Sequence, residues 1–167
     1  WHYKLKSIGF PKYHLGANFF RDRDGTLCIS CQTYIKRLRD SYMQLFGVEP
    51  PKKASTPLSK GDHPELDITE PCTPIDIAKY QSLIGALQWT ISLCRMDIAH
   101  AVMTLSRYRA APQVGHLHRA KRIVGYLCHK PHGALRFRTA IPDHESLFGE
   151  HPETHDWMYS TYGSPKE

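Results

Sequence analysis

Apolar and polar positions follow one rhythm up to residue 30 and another from residue 33 onward. Tyr13-His-Leu-Gly-Ala-Asn-Phe-Phe20 places aromatics and Leu around Gly16 and reads as a strand. Arg21-Asp-Arg-Asp-Gly25 is turn chemistry, and Thr26-Leu-Cys-Ile-Ser30 reads as the return strand, so 13–30 is predicted to be a β-hairpin. From Thr33, apolar residues at Tyr34, Ile35, Leu38, Tyr42, Leu45 and Phe46 recur at helical spacing, with Thr33 as cap and Gly47 as stop. Residues 48–72 are rich in Pro and charge and predict a linker or long loop, which either wraps the surface or joins two lobes. Thr73-Pro-Ile-Asp76 then supplies a capping hydroxyl, a Pro at the first helical position and an acid at the positive end of the dipole.

Three helices are predicted beyond that cap. The first presents Tyr80, Leu83, Ile84, Leu87 and Ile91. The second starts near Met96 and presents Ile98, Val102, Leu105 and Tyr108. The third carries Leu117, Ala120, Ile123, Val124 and Leu127 and ends before Pro131. Short connections predict antiparallel neighbours. Residues 134–138 read as a short strand, and 139–167 are acidic, rich in His and Pro, and weakly periodic. The fold class is therefore α+β: a β-hairpin plus helix, then a three-helix bundle and a short strand. The organisation reads as 1–47, a linker at 48–72, a helical region at 73–138, and a tail at 139–167.

Composition narrows the class. The chain has 167 residues, 41% hydrophobic and 23% charged, which fits one domain or part of one and excludes a wholly disordered chain. Its longest uncharged stretch, Tyr80 to Cys94, is 15 residues, too short to span a membrane. No secretory signal opens the sequence, and it starts at Trp1 rather than Met. These features lead to the expectation of a fragment or processed product, cytoplasmic or nuclear and not secreted. Five scattered cysteines fit a reducing compartment. Cys28 and Cys31 form a Cys-x-x-Cys, but on a strand the two point to opposite faces and do not converge on a metal.

The net charge of +6 is unevenly spread. Residues 95–138 hold nine Lys/Arg against the single acid Asp97, whereas 139–167 hold one against six acids. A basic block beside an acidic tail points to a polyanion, with nucleic acid first. Arg119, Lys121 and Arg122 lie on or beside the helix face opposite Leu117, Ile123 and Leu127. That stripe either tracks a phosphate backbone or is a solvated face.

The search for a self-contained active site finds little. No phosphate-binding Gly-rich loop and no nucleophile elbow is present. The close acidic pairs Asp22/Asp24 and Glu65/Asp67 fall in a turn and in the linker, where carboxylates commonly satisfy exposed backbone. No catalytic residue and no metal ligand is assigned.

Three stretches carry a family resemblance: Tyr3-Lys-Leu-Lys-Ser-Ile-Gly9 followed by Tyr13-His-Leu-Gly16; Thr33-Tyr-Ile-Lys-Arg-Leu38; and Tyr80-Gln-Ser-Leu-Ile-Gly-Ala-Leu-Gln-Trp89 with Arg95-Met-Asp-Ile-Ala-His-Ala-Val102, continuing through Leu105-Ser-Arg107 and His116 to Ala120-Lys-Arg-Ile123 and Tyr126-Leu127. Together they resemble the copia-type long-terminal-repeat retrotransposon polyprotein, in the C-terminal part of its reverse transcriptase. Met96 departs from the family's usual Pro and Leu117 from its usual Trp.

The resemblance implies a fragment of a reverse transcriptase fold. Residues 1–47 would be the end of the palm, with a primer-grip-like hairpin and a first thumb-like helix. Residues 73–138 would be thumb and connection, and 139–167 the approach to a ribonuclease H domain. It implies nucleic-acid contacts by Tyr13, His14, Leu15, Gly16, Lys36 and Arg37, in addition to Arg119, Lys121 and Arg122. The implied partners are an RNA–DNA or DNA duplex, held weakly through its phosphates, and the rest of the polyprotein, with no membrane. The family's polymerase carboxylates lie in a Tyr-x-Asp-Asp turn, and no Asp-Asp occurs here. The expectation is a non-catalytic fragment with no cofactor of its own, magnesium being held by upstream carboxylates of the full polymerase. The alternative is a degenerate element remnant with no biochemical activity.

Overall fold

A computed structural model describes residues 9, 11–52 and 54–137. The Tyr3–Gly9 motif, apart from Gly9 itself, lies outside the described residues, as do Arg138 and the acidic tail 139–167. Among the described residues the chain forms a four-stranded antiparallel sheet and four α-helices. The strands are β1 (Tyr13–His14), β2 (Ala17–Arg21), β3 (Leu27–Ser30) and β4 (Ala134–Phe137), in that order across the sheet. The helices are α1 (Gln32–Phe46), α2 (Pro74–Leu93), α3 (Ala99–Ser106) and α4 (Val114–His129).

The hairpin of β2 and β3 pairs Asn18 with Ser30 and Arg21 with Leu27. Its connection is built from short polar side chains: Asp22 accepts from the Asp24 amide and Asp24 from the Thr26 amide. The strand expected over 13–20 is broken, however. Leu15 and Gly16 form a two-residue turn with both φ angles positive (49° and 103°), and β1 folds back on β2 with Tyr13 opposite Asn18. Positive φ at both central positions is what a type I′ hairpin turn demands. A side chain at Gly16 would also meet Leu93 Cδ1 at 3.1 Å. The turn is therefore seated on the end of α2.

Helix α1 begins two residues earlier than a Thr33 cap indicated, and Thr33 is not its cap. The N-cap is Cys31, without a side-chain hydrogen bond. Asn18 of β2 substitutes from a distance: its carbonyl accepts from the Thr33 amide at 3.1 Å and its amide donates to Thr33 Oγ1 at 2.9 Å. The other end follows the sequence, with Gly47 left-handed at φ 69°. Helix α2 starts as its cap predicts, Thr73 accepting from the Asp76 amide.

Ile35, Leu38 and Tyr42 of α1 share one core with Tyr80, Leu83, Ile84 and Leu87 of α2, Val102 and Leu105 of α3, and Ile123, Val124 and Leu127 of α4. Tyr80 is fully buried, and its hydroxyl donates to the Leu105 carbonyl at 2.6 Å, tying α2 to α3. Among its described residues, segment 48–72 contains one short 3-10 turn, Pro64–Leu66, and an isolated bridge of Pro71 to Gln113, and is otherwise irregular. It packs through buried Pro50, Ala54 and Pro64. Strand β4 pairs antiparallel with β3, Ala134 opposite Ser30. Among the described residues no helix is long and apolar enough to cross a membrane.

Candidate nucleic-acid interface

The tight turn brings Tyr13, His14, Leu15 and Gly16 to one edge of the sheet. Leu15 is 67% exposed at the tip, His14 is exposed, and Gly16 is buried beneath. Arg37, on the exposed side of α1, donates to the Tyr13 hydroxyl at 3.1 Å, and its guanidinium lies 5.6 Å from that ring's centroid. Among the described residues Arg37 has no carboxylate partner, so its charge remains available to a ligand. Five of the expected contact residues thus converge. Lys36, one position earlier on α1, is also exposed but lines a groove shared with residues 49–52 and the end of α4.

Helix α4 is arranged differently. The face carrying Arg119, Lys121 and Arg122 is covered by the irregular segment and the end of α1. Arg119 donates to Asp62 at 2.9 Å and forms a second ion pair with Asp67, and its side chain is only 20% exposed. Lys121 Nζ stands 4.3 Å from the Phe46 ring centroid, within cation–π range. Arg122 donates to Thr56 Oγ1 at 3.2 Å, while its Nε is buried without a partner. All three are partly buried, so the face is neither an open phosphate track nor simply solvated.

The Asp67 carboxylate shows how tightly that latch is built. Burial works against its ionisation, but donation from Thr69 and Arg119 outweighs burial and lowers its pKa from 3.8 to about 2. His116 holds the same segment further along. Its Nδ1 accepts from the Gln113 amide at 3.0 Å, so its Nε2 carries the proton donated to the Pro64 carbonyl at 2.9 Å. Its ring stacks on Tyr108, the centroids 3.9 Å apart.

Arg95, counted within the basic block, is an internal clamp instead. Its side chain is 3% exposed; it donates twice to Asp97, at 2.9 and 2.7 Å, and once to the Lys130 carbonyl at 2.8 Å. Tyr126 completes the cluster by donating to Asp97 at 2.8 Å. Burial opposes the Asp97 charge, yet Arg95 and Tyr126 hold its pKa below the ordinary value. The Arg-x-Asp spacing at a helix junction was the available signal for this clamp.

The acidic pairs singled out in the sequence also find structural partners. Arg136 of β4 reaches Asp22 at 2.5 Å and Asp24 at 3.0 Å, and Glu65 pairs with His63. The Cys28 thiol points to Asp22, while Cys31 meets Cys94 at the end of α2, so the two thiols of the Cys-x-x-Cys diverge. Among the described residues no three His, Cys, Asp or Glu side chains converge as a metal site.

Comparison with known proteins gives two transposon relatives. The chain is 30% identical over 164 residues to a Ty5-1 transposon protein of Saccharomyces cerevisiae, covering 96% of this chain and 51% of that protein. It is 28% identical over 134 residues to the retrovirus-related Pol polyprotein from transposon TNT 1-94 of Nicotiana tabacum, covering 75% of this chain and 10% of the polyprotein. The chain thus spans about half the length of the first and a tenth of the second. No family model matches, and no solved structure matches. Its homologues are transposon proteins, and the resemblance to a retrotransposon polyprotein holds at that level.

Proposed function

We propose that this chain is the part of a copia-type reverse transcriptase that holds the primer–template duplex, without catalytic groups of its own. The observation that carries the reading is the Tyr13–Gly16 turn. Tyr13, His14 and Leu15 of the motif lie at an exposed edge beside Arg37, which has no carboxylate partner among the described residues, on a base fixed by α1 and α2. Arg37 meets a backbone phosphate, and the tip formed by His14 and Leu15 lies against the sugar edge of the duplex. Such contacts position a hybrid by shape and charge rather than by reading bases. The rest of the polyprotein supplies the polymerase centre. Magnesium belongs to that centre, and no metal step is assigned to this chain.

Fluorescence anisotropy of the whole chain with an RNA–DNA hybrid and a DNA duplex, across a salt series, tests this proposal. The expected result is weak, sequence-independent binding that falls steeply with salt. Arg37→Ala should flatten the slope by about 0.9, the value for one phosphate contact. Absence of binding at low salt would leave the chain as an inactive element remnant, and an unchanged slope in the variant would remove Arg37 from the interface.

A further inference from the structure

The groove beside Lys36 is not used by the duplex-holding surface, and its construction is specific. It encloses about 530 Å³ between α1, residues 49–52 and the C-terminal end of α4. That volume lies in the range of roughly 300–1,000 Å³ that accommodates small organic ligands. One wall is fixed: any side chain at Gly125 would collide with the Pro51 carbonyl, so Pro50 and Pro51 are held hard against α4. The floor is apolar, Pro51 and Cys128 lying over buried Ile35 and Pro50. Burial accordingly pushes the Cys128 thiol above its ordinary pKa.

The rim carries the charge. Lys36 of α1, Lys52 of the 49–52 segment and His129 at the end of α4 line it and are all exposed. The one acid lining the groove, Glu49, is already held by Arg39 through contacts of 3.0 and 2.5 Å. An apolar floor beside the exposed ammonium groups of Lys36 and Lys52 matches the chemistry of a nucleotide unit: an apolar base face flanked by phosphates. An acidic peptide would satisfy the ammonium groups but leave the floor unused.

We propose that this groove seats one unpaired nucleotide of a single strand, its base against Pro51 and Cys128 and its flanking phosphates at Lys36 and Lys52. The inference rests on the proposed nucleic-acid role and deepens it: the hairpin edge holds paired strands, and the groove takes a strand where pairing has ended. Single-strand binding in general combines sequence-tolerant contact with the base, usually on an aromatic ring, and cationic contacts to the backbone; here the base contact is aliphatic.

Cys128 provides a direct readout, because Cys28, Cys31, Cys72 and Cys94 are buried whereas Cys128 is partly accessible. A short oligothymidylate should protect Cys128 from maleimide, read by mass spectrometry. A blunt duplex at equal nucleotide concentration should protect it far less. Lys36→Glu with Lys52→Glu should abolish the protection and flatten the single-strand salt slope by at least about 1.4, the value for two phosphates. An oligonucleotide lacking bases should bind at least tenfold more weakly than oligothymidylate.

Three results would overturn the proposal: no protection of Cys128, equal binding of the abasic strand, or protection by polyglutamate as strong as by oligothymidylate. A chain that binds duplex but leaves Cys128 unprotected overturns the groove assignment alone. A chain that binds neither nucleic acid overturns both proposals.

Discussion

Two basic regions of this molecule share their residue types and differ in every other respect. On α4, Arg119 and Arg122 lie under a segment that supplies Asp62, Asp67 and Thr56 as partners. On α1, Lys36 and Arg37 stand exposed with no carboxylate in contact among the described residues. The linear charge count favours the first region, where nine cations meet one acid. In space, acids from residues 22, 24, 62 and 67 return to that block and pair with it. Charge density along a sequence therefore locates arginines, but only their partners determine whether they bind a ligand or the protein itself.

The strongest way to break this contrast is to remove Arg119. Arg119→Ala leaves Asp67, whose side chain is 3% exposed, without its guanidinium, and should cost about 3 kcal/mol, as for other broken buried pairs. Urea denaturation measures that loss. The salt slope of duplex binding should stay unchanged in the same variant. A flattened slope with intact stability would show instead that Arg119 reaches phosphate.

A smaller effect follows from protonation of the same pair. The folded-state pKa of Asp67 is depressed to about 2 from an ordinary 3.8, so its contribution is fully present above pH 3.8 and disappears as pH falls through 2. The shift is worth no more than about 2.5 kcal/mol. Stability measured from pH 5 to pH 2 should decline less steeply in Asp67→Asn than in the parent chain. Parallel curves would mean that the carboxylate gains nothing from the latch.

Arg37→Ala defines the other side of the comparison. Its side chain is exposed and its partners are one hydroxyl and one ring face, so stability should change by no more than about 0.5 kcal/mol. Thermal unfolding checks it. A loss as large as that of Arg119→Ala would make Arg37 a structural residue too, and the two regions would no longer differ.

The features legible along the chain are the local ones. The Thr73-Pro74 cap, the Gly47 stop and the periodicity of α2, α3 and α4 were legible because each depends on residues within a turn or two of one another. So was the β2–β3 hairpin, whose aspartates bind amides two residues away. The break at Leu15–Gly16 was only half legible: Gly16 signalled a permissive backbone, but the seat against Leu93 that excludes a side chain comes from 77 residues away. Asn18 replaced Thr33 as the cap of α1 for a similar reason, a side chain 15 residues upstream providing both hydrogen bonds.

Only the tertiary structure decided the candidate site. It joined β4 to β3, brought Asp62 and Asp67 onto Arg119 from 57 and 52 residues away, and closed a groove around Lys36 with prolines from another segment. Backbone periodicity and capping act over a few residues and leave a mark in the local pattern. Ion pairing and side-chain exposure depend on which distant segments the folded core brings together, and no local pattern encodes that distance.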